Sequence, residues 1–146
     1  YPAKSIDKKL SGLKWITPEY KNNPKDEIDL ILEIKSFLKN DKRKKMLITH
    51  YTFFSVILDQ KTYSPSRFFT KHGVSHPVKG NKYFNKYRNF FIKKIVENNI
   101  EVIYTIWPTD PYFPKELLDA KCIKSSSLNS ILDAHLILEC DNLKLN

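Results

Sequence analysis

Two of the four histidines lie in one short segment, HGVSH, at the four-residue spacing of a helical metal site. Gly73 and Pro77 disfavour a helix here, and no nearby glutamate supplies the base of an HExxH zinc motif. We therefore predict no metal site and interpret His72 and His76 as loop residues that form local hydrogen bonds. A connection of about twenty residues without regular structure, over 60–80, is uncommon in a compact domain, so we assign ligand contacts to it first.

His50, Tyr51 and Trp107 each follow a short apolar run that is typical of a buried parallel strand. The two runs are Met46–Ile48 and Val102–Ile106. Ligands of open parallel sheets bind beyond the carboxyl ends of the strands, so we predict that these three residues contact a ligand. An imidazole at the position of His50 can act as acid or base near neutral pH, although such a residue more often caps a turn.

The chain has none of the common catalytic or nucleotide-binding motifs. There is no GxSxG nucleophile elbow, and neither cysteine has a histidine beside it. The three glycines are too scattered for a phosphate-binding or dinucleotide-binding loop; they are Gly12, Gly73 and Gly80. We therefore predict no catalytic residue and no cofactor.

The two cysteines, Cys122 and Cys140, form no CxxC pair, which argues against a zinc ribbon or a thioredoxin-type site. They are either two buried thiols in a reducing cytosol or one disulfide in an oxidising compartment. We favour the disulfide, because both residues lie at the edges of apolar segments near the C-terminus, where a cross-link is most useful.

Helix and strand patterns predict how these residues are positioned. Residues 1–22 are expected to form an arm packed on the domain, and residues 23–146 a single α/β domain. Asn23 and the proline after it are typical of a helix start, and 83–95 has the spacing of an amphipathic helix. Because a strand is predicted on each side of that second helix, the order implies a parallel crossover.

The C-terminal part is expected to continue the alternation. A short helix over 115–119 is followed by a short strand near Ile123, a helix over 126–132 that begins at a serine cap, and a last strand over 136–138. The predicted fold is therefore a small three-layer, Rossmann-like α/β domain with a mainly parallel sheet.

Twenty-five Lys and Arg against sixteen Asp and Glu give a net charge of +9, which favours nucleic acid, anionic lipid or phosphorylated substrates. Nucleic acid is disfavoured, since the aromatic residues of 83–95 follow one stripe, as in a core. No run approaches the roughly 20 apolar residues that cross a bilayer. The chain begins at Tyr1, so we expect that a preceding segment was removed.

The stretch from Met46 to Ile106 resembles a known family. It contains a strand, the sequence FFSVILDQK, the segment YSPSR at 63–67, the aromatic helix and the sequence IEVIYTI. In these features, and above all in Pro65, Ser66 and Arg67, it is similar to the soluble C-terminal domains of multi-pass bacterial membrane glycosyltransferases of the dolichyl-phosphate-mannose mannosyltransferase type. The likeness covers less than half of the chain.

The resemblance implies a periplasmic domain attached to a membrane-embedded region of the same protein, which transfers sugars from a polyprenyl-phosphate donor. The family's catalytic carboxylates belong to that membrane region, so the domain is expected to be inactive alone. It would help to bind the lipid-linked sugar phosphate or the acceptor glycan. Arg67, His72 and His76 would contact phosphate or sugar hydroxyls.

Two other functions stay open at this point: a free-standing basic module that binds nucleic acid, and a small enzyme that uses His50 or the HGVSH loop. The recognition hypothesis requires the 60–80 connection and both strand exits to lie along one rim of the sheet. An antiparallel hairpin, or those segments on opposite sides, would remove the predicted surface and the case for the family.

Overall fold

The computed structural model describes residues 1–16, 23–66, 76–107, 109 and 113–143. They belong to two compact units. Unit 1 comprises Tyr1–Lys42 and Phe53–Lys61, and unit 2 comprises Arg43–Thr52 and Thr62–Asn146. The division into an arm over 1–22 and a single domain over 23–146 stays a prediction.

Unit 1 is built on one long helix, α1, over Pro24–Asn40. As predicted, Asn23 caps it: the side chain accepts a hydrogen bond from the N–H of Lys25 at 3.0 Å, and a proline follows at the first helical position. The apolar buried residues of α1 recur at three- and four-residue steps; they are Ile28, Ile31, Ile34 and Leu38. Leu32 and Phe37 of the same helix are exposed.

The N-terminal segment of unit 1 contacts α1 through two polar pairs. The Lys35 ammonium lies 2.5 Å from the Asp7 carboxylate and, mainly by this hydrogen bond, holds the pKa of that carboxyl below its usual range. The indole N–H of Trp15 donates to Glu27 at 3.1 Å. A short helix, α2, over Phe54–Ile57 completes the unit.

Removing the cap of α1 is expected to have a modest cost. Asn23→Ala should lower the free energy of unfolding by about 1 kcal/mol, because the N–H of Lys25 loses its acceptor. Urea unfolding followed by circular dichroism measures the change. Asn40→Ala, at the exposed last residue of α1, is the matched control. An equal loss in both variants would contradict a specific role for the cap.

Unit 2 is built on a four-stranded sheet in the order β1-β2-β4-β3. The strands are β1 over Lys45–Thr49, β2 over Val102–Ile106, β3 over Ile123–Asn129 and β4 over Leu132–Ile137. β1 and β2 are parallel, with Thr49 opposite Ile106, while β4 is antiparallel to both β2 and β3. Every residue of β1 and β2 is buried, which explains their nearly continuous apolar runs.

Two helices pack against one face of this sheet: α3 over Phe84–Glu97 and α4 over Phe113–Leu117. α3 ends in a Schellman turn, in which Asn99 has a φ of +50° and the N–H of Ile100 donates to the carbonyl of Ile95 at 2.9 Å. The core between helices and sheet includes Met46, Ile48, Phe91, Ile95, Ile103, Phe113 and Leu117. The predicted order of strand, helix and parallel strand over β1, α3 and β2 is confirmed.

The prediction of a mainly parallel, Rossmann-like sheet is wrong. Where the serine-rich segment predicts a helix over 126–132, the chain forms an antiparallel hairpin of β3 and β4, and the one parallel pair among the described strands is β1 with β2. The side chain of Asn129 accepts a hydrogen bond from the N–H of Ile131 at 3.0 Å and so makes the turn of the hairpin. This local turn and the pairing of β4 with β2 favour the hairpin over the helix.

A disulfide joins Cys122 and Cys140, whose Cα atoms are 5.5 Å apart. Cys122 directly precedes β3, and Cys140 lies shortly after β4. The backbone N–H of Leu138 donates to the carbonyl of Cys122 at 2.9 Å, which extends the pairing of the hairpin. The disulfide therefore closes the open end of the hairpin, opposite its turn.

Candidate recognition site at the sheet edge

His50 and Trp107 lie at the same end of the sheet, because β1 and β2 are parallel neighbours that end in register. Thr49 pairs with Ile106, and these last strand residues are followed directly by His50 and Trp107. His50 is exposed and Trp107 is half-buried. In open α/β sheets ligands bind at the carboxyl ends of parallel strands. We call this end of the sheet, marked by His50 and Trp107, the carboxyl rim.

Backbone N–H groups hold the chain at the carboxyl rim by hydrogen bonds. The N–H of Tyr51 donates to Oγ1 of Thr49 at 2.9 Å, so the chain turns immediately after β1. The N–H of Trp107 donates to the carbonyl of Ile131 at 2.8 Å. Because β4 starts opposite the end of β2, the hairpin turn belongs to the same rim.

Tyr51 offers a ligand little of its side chain. It is only 8% exposed, whereas His50 beside it is exposed. The contact predicted for Tyr51 is therefore the weakest of those at the strand exits.

One residue of the 60–80 connection, Tyr63, pairs with the outer edge of β1. The N–H of Leu47 donates to the carbonyl of Tyr63 at 2.8 Å, and the N–H of Tyr63 donates to the carbonyl of Lys45 at 3.2 Å. This bridge is parallel, so the chain leaves Tyr63 in the direction of the carboxyl rim. Arg67 and His72, which we predict to contact ligand, lie outside the described residues.

His76 lies in the helical layer of unit 2, against two aromatic rings. Its ring centroid is 4.2 Å from that of Phe113, edge to face, and 6.1 Å from that of Tyr87. A crossover helix runs antiparallel to the strands that it joins, so the first turn of α3, with Tyr87, lies toward the carboxyl rim. His76 is thus at the same end of the sheet as His50 and Trp107.

Two buried hydroxyl groups accompany these residues and were not evident from the sequence. Within the described part of the chain, the hydroxyls of Tyr87 and Thr109 have no hydrogen-bond partner. Burial raises the pKa of the Tyr87 phenol to about 12, so the group stays protonated and can donate. Leaving a buried hydroxyl unpaired costs free energy.

The fourth histidine, His135 in β4, is fully buried between two hydroxyl side chains, and the sequence patterns did not single it out. Its Nε2 lies 2.9 Å from Oγ1 of Thr105, and its Nδ1 lies 2.8 Å from Oγ of Ser125. Burial lowers the pKa of the imidazole to about 4; the charge of Asp133 opposes this shift and that of Lys115 adds to it. A neutral ring held by two hydroxyls is a weak base, so we interpret it as a structural bridge across β2, β4 and β3.

The described residues lack two further features. They contain no group of three or more His, Cys, Asp and Glu side chains that could hold a metal ion. None of their helices is both long and apolar enough to span a membrane.

A shallow cleft of about 780 Å³ lies at the opposite end of the sheet, where Arg43, Asn99 and Glu101 surround the start of β2. The cleft and the carboxyl rim are therefore separate features.

Comparison with models of known families, with characterised proteins and with solved structures found no match to this chain. The description of unit 2 therefore rests on its own fold and site. Unit 2 is a mixed α/β fold with a disulfide-closed hairpin and a rim of histidine, tryptophan and buried hydroxyl groups.

Proposed function

We propose that this chain is a noncatalytic recognition domain of a membrane glycosyltransferase that uses a polyprenyl-phosphate sugar donor, and that it acts outside the cytoplasm. The observation that carries the proposal is the placement of His50 and Trp107 at one rim by the parallel pair β1 and β2. An indole packs on the apolar face of a sugar ring, and an exposed imidazole binds phosphate or hydroxyl oxygens. The membrane-embedded region of the same protein would supply the catalytic groups.

The fold no longer supports the resemblance to the mannosyltransferase type, because an antiparallel hairpin is the finding that removes that case, and β3 and β4 form one. This hairpin lies outside the Met46–Ile106 stretch that carries the resemblance, and within that stretch β1, α3 and β2 follow in the expected order. The Rossmann-like fold no longer supports the proposal; the sequence segments and the carboxyl rim do.

Two properties of the chain support the location and the ligand class. Disulfides persist in oxidising compartments, so the bond between Cys122 and Cys140 favours a position outside the cytoplasm. The net charge of +9 favours an anionic, phosphate-bearing ligand.

The proposal is tested by titrating isotope-labelled protein with a water-soluble, short-chain prenyl phosphate that carries one hexose. We expect the indole N–H signal of Trp107 to shift while that of Trp15, in unit 1, stays in place. Trp107→Ala should weaken binding about tenfold, because the ring contact with the sugar is lost. His50→Ala should weaken it by a similar factor, through loss of a polar contact.

Trp15→Phe is the matched control, since it removes an indole whose N–H bonds to Glu27 and whose ring contacts Phe53, both in unit 1. This variant should bind the prenyl phosphate sugar like the wild type. Equal weakening by Trp107→Ala and Trp15→Phe, or no response of the Trp107 signal at millimolar ligand, would refute recognition at the carboxyl rim.

A further inference from the structure

The net charge of the whole chain lies in one segment. Between Asp59 and Glu97 the sequence has nine Lys and Arg and no Asp or Glu. The remaining sixteen basic residues are balanced by the sixteen acidic ones. The described part of this segment includes the turn that leads into α3 and nearly all of α3 itself.

Basic, aromatic and aliphatic side chains are exposed together on this part of the molecule. Tyr83 is 55% exposed, Val78 50% and Phe90 40%. Tyr83, directly before α3, and Lys86 and Phe90 within it recur at three- and four-residue steps, so they share one side of the helix. Together with two exposed lysines of the turn they form what we call the basic aromatic face: Val78, Lys79, Lys82, Tyr83, Lys86 and Phe90.

The turn before α3 is held by its own hydrogen bonds. The N–H of Asn81 donates to the carbonyl of Val78 at 3.0 Å, and the side chain of Asn81 accepts from the N–H of Tyr83 at 2.9 Å. Gly80 has a φ of +93°, a conformation that favours glycine. Val78 and the lysine after it are therefore fixed beside the start of α3.

We infer that the basic aromatic face docks on the surface of an anionic lipid bilayer. Lysine ammonium groups are attracted to anionic headgroups, while valine, tyrosine and phenylalanine side chains enter the interface between headgroups and acyl chains. The lysines of the face complement such a surface, while Arg88 and Lys93 of the same segment lie outside the face and pair with Asp119 and Glu97. The docking would hold whether or not the chain belongs to a glycosyltransferase.

The contacts of the face favour lipid over nucleic acid. The ammonium of Lys82 lies 4.8 Å from the centre of the Tyr83 ring, and that of Lys94 lies 5.5 Å from the centre of the Phe90 ring. Bases stack on open ring faces, which these lysines partly occupy. The arginine of α3, Arg88, is turned to the protein, where its Nε donates to the carbonyl of Leu117 at 2.8 Å. This helix therefore presents no arginine for bidentate contact with a phosphate.

Co-sedimentation with vesicles tests the inference on the whole chain. We expect binding to vesicles of equal amounts of phosphatidylcholine and phosphatidylglycerol, weak binding to phosphatidylcholine alone, and a loss of binding as salt is raised. Lys82→Ala with Lys86→Ala should weaken binding about 30-fold, since each lysine near an anionic surface contributes a factor of about five. Tyr83→Ala with Phe90→Ala should also weaken binding, with less dependence on salt.

Lys121→Ala with Lys124→Ala is the matched control, because it removes the same charge from exposed positions outside the face. It should change binding by no more than about twofold. Equal weakening by the two lysine pairs, equal binding to both kinds of vesicle, or binding of a single-stranded oligonucleotide with none to vesicles would each overturn the inference. Unchanged thermal unfolding shows that the variants remain folded.

Discussion

Replacing the disulfide by Cys122→Ala with Cys140→Ser is expected to lower the free energy of unfolding of unit 2 by about 3 kcal/mol. The two cysteines are 18 residues apart in sequence, so the bond closes a loop of the size for which that loss is typical. Besides its pairing with β4 and the bond between Ser125 and His135, β3 has few buried side chains to hold it. Of its seven residues only Ile123 is buried, and Leu128 is 40% exposed.

Urea unfolding measures this loss when Trp107 is the reporter. The N–H of Trp107 bonds to Ile131 beside β4, so its fluorescence follows the hairpin, and a Trp15→Phe background removes the signal of unit 1. Wild-type protein with a reducing agent should unfold like the double variant, while the variant should not respond to the reducing agent. Two labelled thiols in the unreduced native protein would contradict the disulfide.

The hairpin that the disulfide closes also holds Trp107 at the carboxyl rim. The disulfide pins the open end of the hairpin, and the other end carries the carbonyl that accepts from the N–H of Trp107. An edge strand that separates from its neighbour loses its ladder of hydrogen bonds. Reduction should therefore disturb Trp107 as well as lower stability, which makes the compartment in which the protein folds relevant to the proposed ligand contact.

Helix and strand prediction succeeded where local signals agree with tertiary structure. Asn23 before a proline, the apolar stripe of α3 and the buried runs of β1 and β2 each indicate one structure, and each forms it. At 126–132 two signals conflict. Leu128, Ile131 and Leu132 have helical spacing, whereas Asn129 and the residue after it suit a turn, and spacing alone does not reveal that β2 offers β4 a pairing edge.

The parts of the site that rest on the parallel pair could be predicted, and those that rest on the hairpin could not. His50 and Trp107 follow the two strands whose parallel pairing was expected, so their shared edge followed from the sequence. His135 was missed, because its place between two hydroxyls exists only when β4 pairs with both β2 and β3. The alternation of apolar residues at 132, 134 and 136 is the signal that could have revealed that strand. The bridge between Tyr63 and β1 has no local signal, because a single paired residue has no periodicity.

Acidification is expected to destabilise the wild-type protein by about 3 kcal/mol more than a His135→Gln variant between pH 7 and pH 4. The imidazole has a pKa of about 4 in the folded protein against an ordinary value of 6.5, because burial disfavours the charged ring. Between these values the unfolded chain binds more protons than the folded one. Stability is therefore complete above pH 6.5 and falls as the pH is lowered toward 4.

Urea unfolding at several pH values compares the two proteins directly. His135→Gln should be less stable at pH 7, because one glutamine cannot reach the hydroxyls of both Thr105 and Ser125 as the ring does, and its stability should fall less toward pH 4. The carboxylate of Asp7, whose pKa is lowered by its bond to Lys35, loses its contribution below the ordinary carboxyl range and affects both proteins equally. Parallel curves, or ring proton signals of His135 that titrate near pH 6.5, would contradict a buried neutral imidazole. Because the ring resists protonation, His135 is a poor candidate for proton transfer.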